Sequence, residues 1–122
     1  MNNVNNNIIN IIAQAYYGNR VATEINKEDI DRFILGYQDD SITVTEPIDR
    51  TVIHIPNTDG IVIVYNKYSE EGNKERMKAV AVIPEENIEL HSRCIACRMN
   101  ADGELESLQE GDFEKLVKYL AE

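Results

Sequence analysis

Residues 51–67 read TVIHIPNTDGIVIVYNK, and the reading of this stretch decides the fold. Thr51 to Ile55 and Ile61 to Lys67 are β-branched runs. Between them, Pro56-Asn57-Thr58-Asp59-Gly60 has the Pro and Asp-Gly chemistry of a tight reversal, which predicts an antiparallel hairpin. Ile61-Val62-Ile63-Val64-Tyr65 is apolar at both parities, the pattern of a central strand covered on both faces. Helices are expected to supply one of the two covers.

Toward the C-terminus, residues 69–76 read as a solvated loop leading to a β-rich run from Met77 to Ile83, which Pro84 stops. After a turn at Glu85-Glu86-Asn87, Ile88 to Met99 is long enough for one extended or bulged strand. Asn100-Ala101-Asp102-Gly103 reverses it into Glu104 to Leu108 as a second hairpin. Asp112 is expected to cap a final helix with Phe113, Leu116, Val117 and Leu120 on one face.

Toward the N-terminus, Ile42 and Val44 alternate with Ser41, Thr43 and Thr45, predicting a half-buried strand from Gln38 to about Ile48, closed by Pro47. Asn26 reads as the N-cap of a helix bearing Ile30, Phe33, Ile34 and Tyr37, with Glu28 and Asp29 near the positive end of its dipole and a stop near Gly36. Val4, Ile8, Ile9, Ile11, Ile12, Ala15 and Tyr16 recur at helical spacing, predicting a first helix over residues 2–17 with Gly18 and Asn19 as its C-cap. Asparagine is a poor helix former, so that helix must depend on packing its isoleucine face. The expected fold class is α+β: a mostly antiparallel sheet of about five or six strands, two N-terminal helices and one C-terminal helix, in a single domain over 1–122.

Acidic residues outnumber basic ones by 22 to 12, a net charge of −10, which repels phosphate backbones and argues against binding duplex nucleic acid. No apolar run approaches the ~18 residues that cross a bilayer, and the asparagine-rich start lacks the basic and apolar regions of a signal peptide. A cytoplasmic protein without membrane contact is therefore expected. Isoleucine (16) far exceeds leucine (6) and asparagine (13) is frequent, as in AT-rich coding sequence of a low-GC bacterium or its phage.

Few residues carry recognisable chemistry. His91, Cys94 and Cys97, with His54 elsewhere, contain enough nitrogen and sulfur for zinc, yet a single C-x-x-C within an apolar strand lacks paired ligand knuckles. Buried reduced thiols pointing to opposite faces are the plainer reading, with no metal and no cofactor. Neither histidine lies in a nucleophile motif, no glycine-rich phosphate loop is present, and the paired acids fall in predicted loops, so catalysis is not expected. The arginines are more informative. Arg93 and Arg98 bracket Cys-Ile-Ala-Cys, Arg50 precedes a strand, and Arg20 follows Tyr16-Tyr17-Gly18-Asn19. An arginine beside an apolar strand needs either a carboxylate of the same chain or an anionic ligand. Gly18, Asn19 and Arg20 are likewise either a helix terminus or a turn that holds phosphate, and Arg98-Met99-Asn100 offers a similar set at a hairpin mouth.

The stretch Ser92 to Glu104, SRCIACRMNADGE, resembles the phage anti-Thoeris sponge proteins of the first type, and the Gly18-Asn19-Arg20 turn does so more loosely. That family's sheet lies toward the N-terminus, whereas two helices are expected first here. The resemblance implies a non-catalytic homo-oligomer that sequesters a nucleotide immune signal, a cyclic ADP-ribose isomer and in some members cyclic oligonucleotides. It also implies Arg98 as the guanidinium beside the ligand and Met99 as its apolar neighbour. Arg93, Arg50, Gly18, Asn19 and Arg20 join the candidate site on charge alone. The alternative is an acidic protein inhibitor, an immunity protein or a DNA mimic that antagonises a nuclease, for which the negative charge is itself the binding feature.

Overall fold

The computed structural model describes residues 7–15, 20–36, 47–75 and 77–121. In chain order these form β1 (Ile8–Gln14), β2 (Arg20–Asn26), a 3-10 turn (Lys27–Asp29), α1 (Ile30–Leu35), β3 (Arg50–His54), β4 (Ile61–Asn66) and α2 (Lys67–Asn73). There follow β5 (Ala81–Ile83), β6 (Ile88–Leu90), β7 (Cys94–Met99), β8 (Leu105–Glu106) and α3 (Asp112–Leu116). The architecture is α+β, with a six-stranded antiparallel sheet in the order β2-β1-β7-β4-β3; β8 also pairs with β7, and β5 and β6 make a separate two-stranded sheet.

The hairpin predicted over 51–67 is present as β3 and β4, with Ile53 opposite Ile63. Asn57 and Gly60 take positive φ in its turn. β4 lies between β3 and β7 with Ile61 through Val64 buried, as the two-sided apolar pattern requires. One face of the sheet, carrying Ile12, Ile61, Ile63, Cys94 and Ala96, packs against Ile83 and Leu90 of the β5-β6 sheet and against Leu116, Tyr119 and Leu120. The other, carrying Ile11, Ala13, Val62, Val64, Ile95 and Cys97, packs against Ile30 and Phe33 of α1. One cover is thus helical and the other is mainly a small sheet with α3.

The expectation of a helix over 2–17 is corrected. Residues 8–14 are β1, paired along their length with β2, so there are not two N-terminal helices. The isoleucines that match helical spacing equally match alternation, Ile9, Ile11 and Ala13 to one face and Ile12 to the other. β-Branched isoleucine packs well on a pleated surface and asparagine disfavours a helix, so tertiary pairing decides for the strand. The second helix is shorter than predicted: Asn26 caps through its side chain, accepting from the Glu28 N–H at 3.1 Å, and a 3-10 turn leads into α1. Gly36 ends α1 with φ +88°, its N–H donating to the Arg32 and Phe33 carbonyls.

Three further expectations change. The solvated loop at 69–76 is largely α2, capped by the Asn66 side chain. The single strand from Ile88 to Met99 divides at 91–93 into β6 and β7, which belong to different sheets. The final helix is only Asp112–Leu116 with Gly111 at its N-cap. The strand expected over 38–48 lies mostly outside the described residues, as do Tyr16, Tyr17, Gly18 and Asn19.

Candidate functional site

Arg98 sits on β7 where the 56–60 turn and the start of α3 converge. Its Nε and Nη2 donate to the two carboxylate oxygens of Asp112 at 2.7 and 2.8 Å, and its Nη1 donates to the Asp59 carbonyl at 2.6 Å. The Asp112 side chain is 1% exposed and that of Arg98 15%. The guanidinium holds the Asp112 carboxyl below its ordinary range, helped by the Gln109 N–H, which donates to the same carboxylate at 2.7 Å. Of the two readings open for this arginine, an internal carboxylate is the one observed.

Arg50 makes a second such pair, its Nε and Nη2 donating to Asp31 Oδ1 at 3.0 and 2.7 Å, which ties β3 to α1 at the surface. Arg93 donates from Nε to the Phe33 carbonyl at 2.7 Å and lies 4.5 Å from the centre of the Phe33 ring. Met99 is half-buried against the α1-side core, and its N–H donates to the Gly60 carbonyl at 2.8 Å. These four residues are distributed around the sheet and are not gathered at one opening.

Cys94 and Cys97 are buried free thiols on opposite faces, and burial pushes both up to about 12. His91 Nδ1 lies 2.8 Å from the Met77 carbonyl, and His54 is exposed on β3. Among the described residues no group of three or more His, Cys, Asp or Glu is arranged to hold a metal.

Arg20 is held by backbone carbonyls and an aromatic ring, as Arg93 is, and its ring partner borders an opening. Arg20 opens β2 on the α3 side, with Nη1 at 3.4 Å from the Val117 and Leu120 carbonyls and its guanidinium 5.6 Å from the centre of the Phe113 ring. Phe113 in turn lines a concavity of about 440 Å³ between the β1-β2 ribbon and the 108–113 segment, a size suited to a small organic ligand. Asn10, Ile12, Ala22 and Glu24 present one face of the ribbon to it, since Asn10 pairs with Glu24 and Ile12 with Ala22. Leu108 and Gln109 close the opposite wall, held by the Leu108 N–H donating to the Asn10 carbonyl and the Asn10 N–H donating to Ser107 Oγ, both at 2.9 Å.

The lining supplies an apolar floor, the side chain of Phe113, a residue 44% exposed, two side-chain amides and the Glu24 carboxylate. Such a set can stack a planar ring, read its edge with amides and accept hydrogen bonds from hydroxyls. A smaller concavity of about 250 Å³ lies on the other face of the ribbon, lined among others by Thr23, Asp29, Arg32 and Phe33. Sequence reasoning reached Arg20 and missed Asn10, Glu24, Gln109 and Phe113. Reading residues 7–14 as a strand would have placed Asn10 on a sheet face. Nothing local distinguishes Phe113, which is exposed in the first turn of α3.

No family model, curated protein or solved structure matches the chain. Among the described residues no helix is long and apolar enough to cross a membrane.

Proposed function

We propose that this protein is a non-catalytic binding protein that sequesters a small nucleotide-type signal, acting in the cytoplasm of a bacterial host. The observation that carries the reading is the concavity lined by Phe113 and the amides of Asn10 and Gln109, with the Arg20 guanidinium 5.6 Å from the centre of the Phe113 ring. A nucleobase would stack on Phe113, Asn10 and Gln109 would meet its edge, ribose hydroxyls would donate to Glu24, and a phosphate would lie toward Arg20. This reading takes the β1-β2 ribbon as the site in preference to the Arg98-Met99 hairpin mouth, because Asp112 and the Asp59 carbonyl already hold the Arg98 guanidinium. Calorimetric titration with cyclic ADP-ribose isomers and cyclic dinucleotides tests this. Binding in the micromolar range or tighter, weakened at least about ten-fold by Phe113→Ala, supports it. Equal affinity in the variant, or heat from none of these ligands, refutes it.

A second reading, an acidic inhibitor of a basic protein, is favoured by the exposed carboxylates Asp102, Glu104, Glu106 and Glu110, which follow one another from the β7-β8 turn to the start of α3. It predicts capture of a partner that is lost as salt rises.

A further inference from the structure

We propose that β2 is the contact strand for a second copy of this chain, paired antiparallel about a two-fold axis through Ala22. β2 bonds to β1 along one edge, and among the described residues no strand bonds to the other. Ala22, Thr23 and Glu24 are exposed, and Val21 is 52% exposed, unusual for a valine.

The direction of the backbone groups follows from one bond beyond the strand. The Lys27 N–H donates to the Asn7 carbonyl at 2.6 Å, in the same register that pairs Ile8 with Asn26. Bonded and non-bonded pairs alternate along an antiparallel ladder, so Ile25, Thr23 and Val21 direct their N–H and C=O groups toward β1. Arg20, Ala22 and Glu24 direct theirs outward, as a template for another strand.

Charge then selects the register. With the axis at Ala22, Ala22 faces its own copy and Arg20 faces Glu24 of the second copy, twice by symmetry, and each of these pairs is a bonded one. An axis at Glu24 would set two carboxylates opposite each other, and an axis at Thr23 would leave Arg20 facing Asn26 and Glu24 facing Ala22. Opposite charges directly across a ladder are favourable and like charges unfavourable, so this edge is complementary to itself in one register. Arg20, Ala22 and Glu24 all lie on the α3 face of the ribbon. Each Arg20 would thus approach the rim of the other copy's concavity, where Glu24 is otherwise the lone carboxylate among the lining residues. The interface stands on the strand alone and does not depend on what the concavity binds.

Light scattering after gel filtration of the full chain, loaded at about 100 μM, tests this. The wild type is expected at twice its 13.9 kDa mass. Ala22→Pro removes an N–H that points away from β1, so it should keep the circular dichroism spectrum and yet run as a monomer. Glu24→Arg should weaken association by about ten-fold or more, and Arg20→Glu/Glu24→Arg, which restores the pairing with signs exchanged, should recover it. A monomeric wild type overturns the proposal, as does a dimer indifferent to both Glu24→Arg and Ala22→Pro.

Discussion

Arg98 and Asp112 show how a charge beside an apolar strand is accommodated. Each carboxylate oxygen has its own N–H from the guanidinium, and the Gln109 N–H joins them, so little of the buried polarity is left unmet. Removing one partner strands the other: Arg98→Ala is expected to lower the unfolding free energy by about 3–5 kcal/mol in urea titrations, whereas loss of the exposed Arg50–Asp31 pair should cost under about 1 kcal/mol. The same pair sets a pH dependence. Because the Asp112 carboxyl is held below its ordinary range, its contribution is fully present above the unfolded value near ~3.9 and is lost as pH falls through its lower folded value. Wild type and Asp112→Asn should therefore differ in stability by a constant amount from neutral pH down to about 5 and converge in more acidic solution. A gap that widens on acidification contradicts this assignment. The thiols give a third residue-scale expectation: with Cys94 and Cys97 buried and both pushed up to about 12, neither should react with a disulfide reagent until the chain unfolds.

At the scale of elements, the turn of the β3-β4 hairpin has a stringent requirement. Gly60 has φ +91°, and a Cβ there would lie 3.2 Å from the Met99 carbonyl oxygen, so Gly60→Ala combines backbone strain with a crowded contact to β7. A loss of about 1–3 kcal/mol in thermal or urea unfolding is expected. This hairpin was legible because its turn chemistry and its two-sided apolar strand agree, and Gly36 was legible as the end of α1 for a similar local reason. β1 was not, because Ile8, Ile9, Ile11 and Ile12 satisfy both periods and only pairing with β2 and β7 chooses between them. The division of residues 88–99 was hidden for a related cause. His91 and Ser92 leave the ladder because the His91 N–H and the Ser92 hydroxyl both donate to Glu70 on α2, a contact 21 and 22 residues away that no local pattern announces.

At the scale of the whole molecule, the sheet serves two purposes. Its centre, β7 with β4, is covered on both faces and forms the core, while the β1-β2 ribbon at one end keeps part of each face uncovered. The candidate arginines do not gather at one opening: Arg50, Arg93 and Arg98 hold internal partners, and Arg20, which donates to the Val117 and Leu120 carbonyls, lies against Phe113 at the wall of the larger concavity. Edge pairing through β2 would join two such ribbons into one continuous sheet with a concavity in each half.

Native mass spectrometry of the purified protein, alone and with cyclic ADP-ribose isomers and a panel of cyclic dinucleotides, tests signal capture most directly. The account predicts an intact nucleotide retained in fixed ratio to the chain, released with its mass unchanged on unfolding, and lost in Phe113→Ala. A protein that retains no nucleotide, or one that returns it chemically altered, contradicts it.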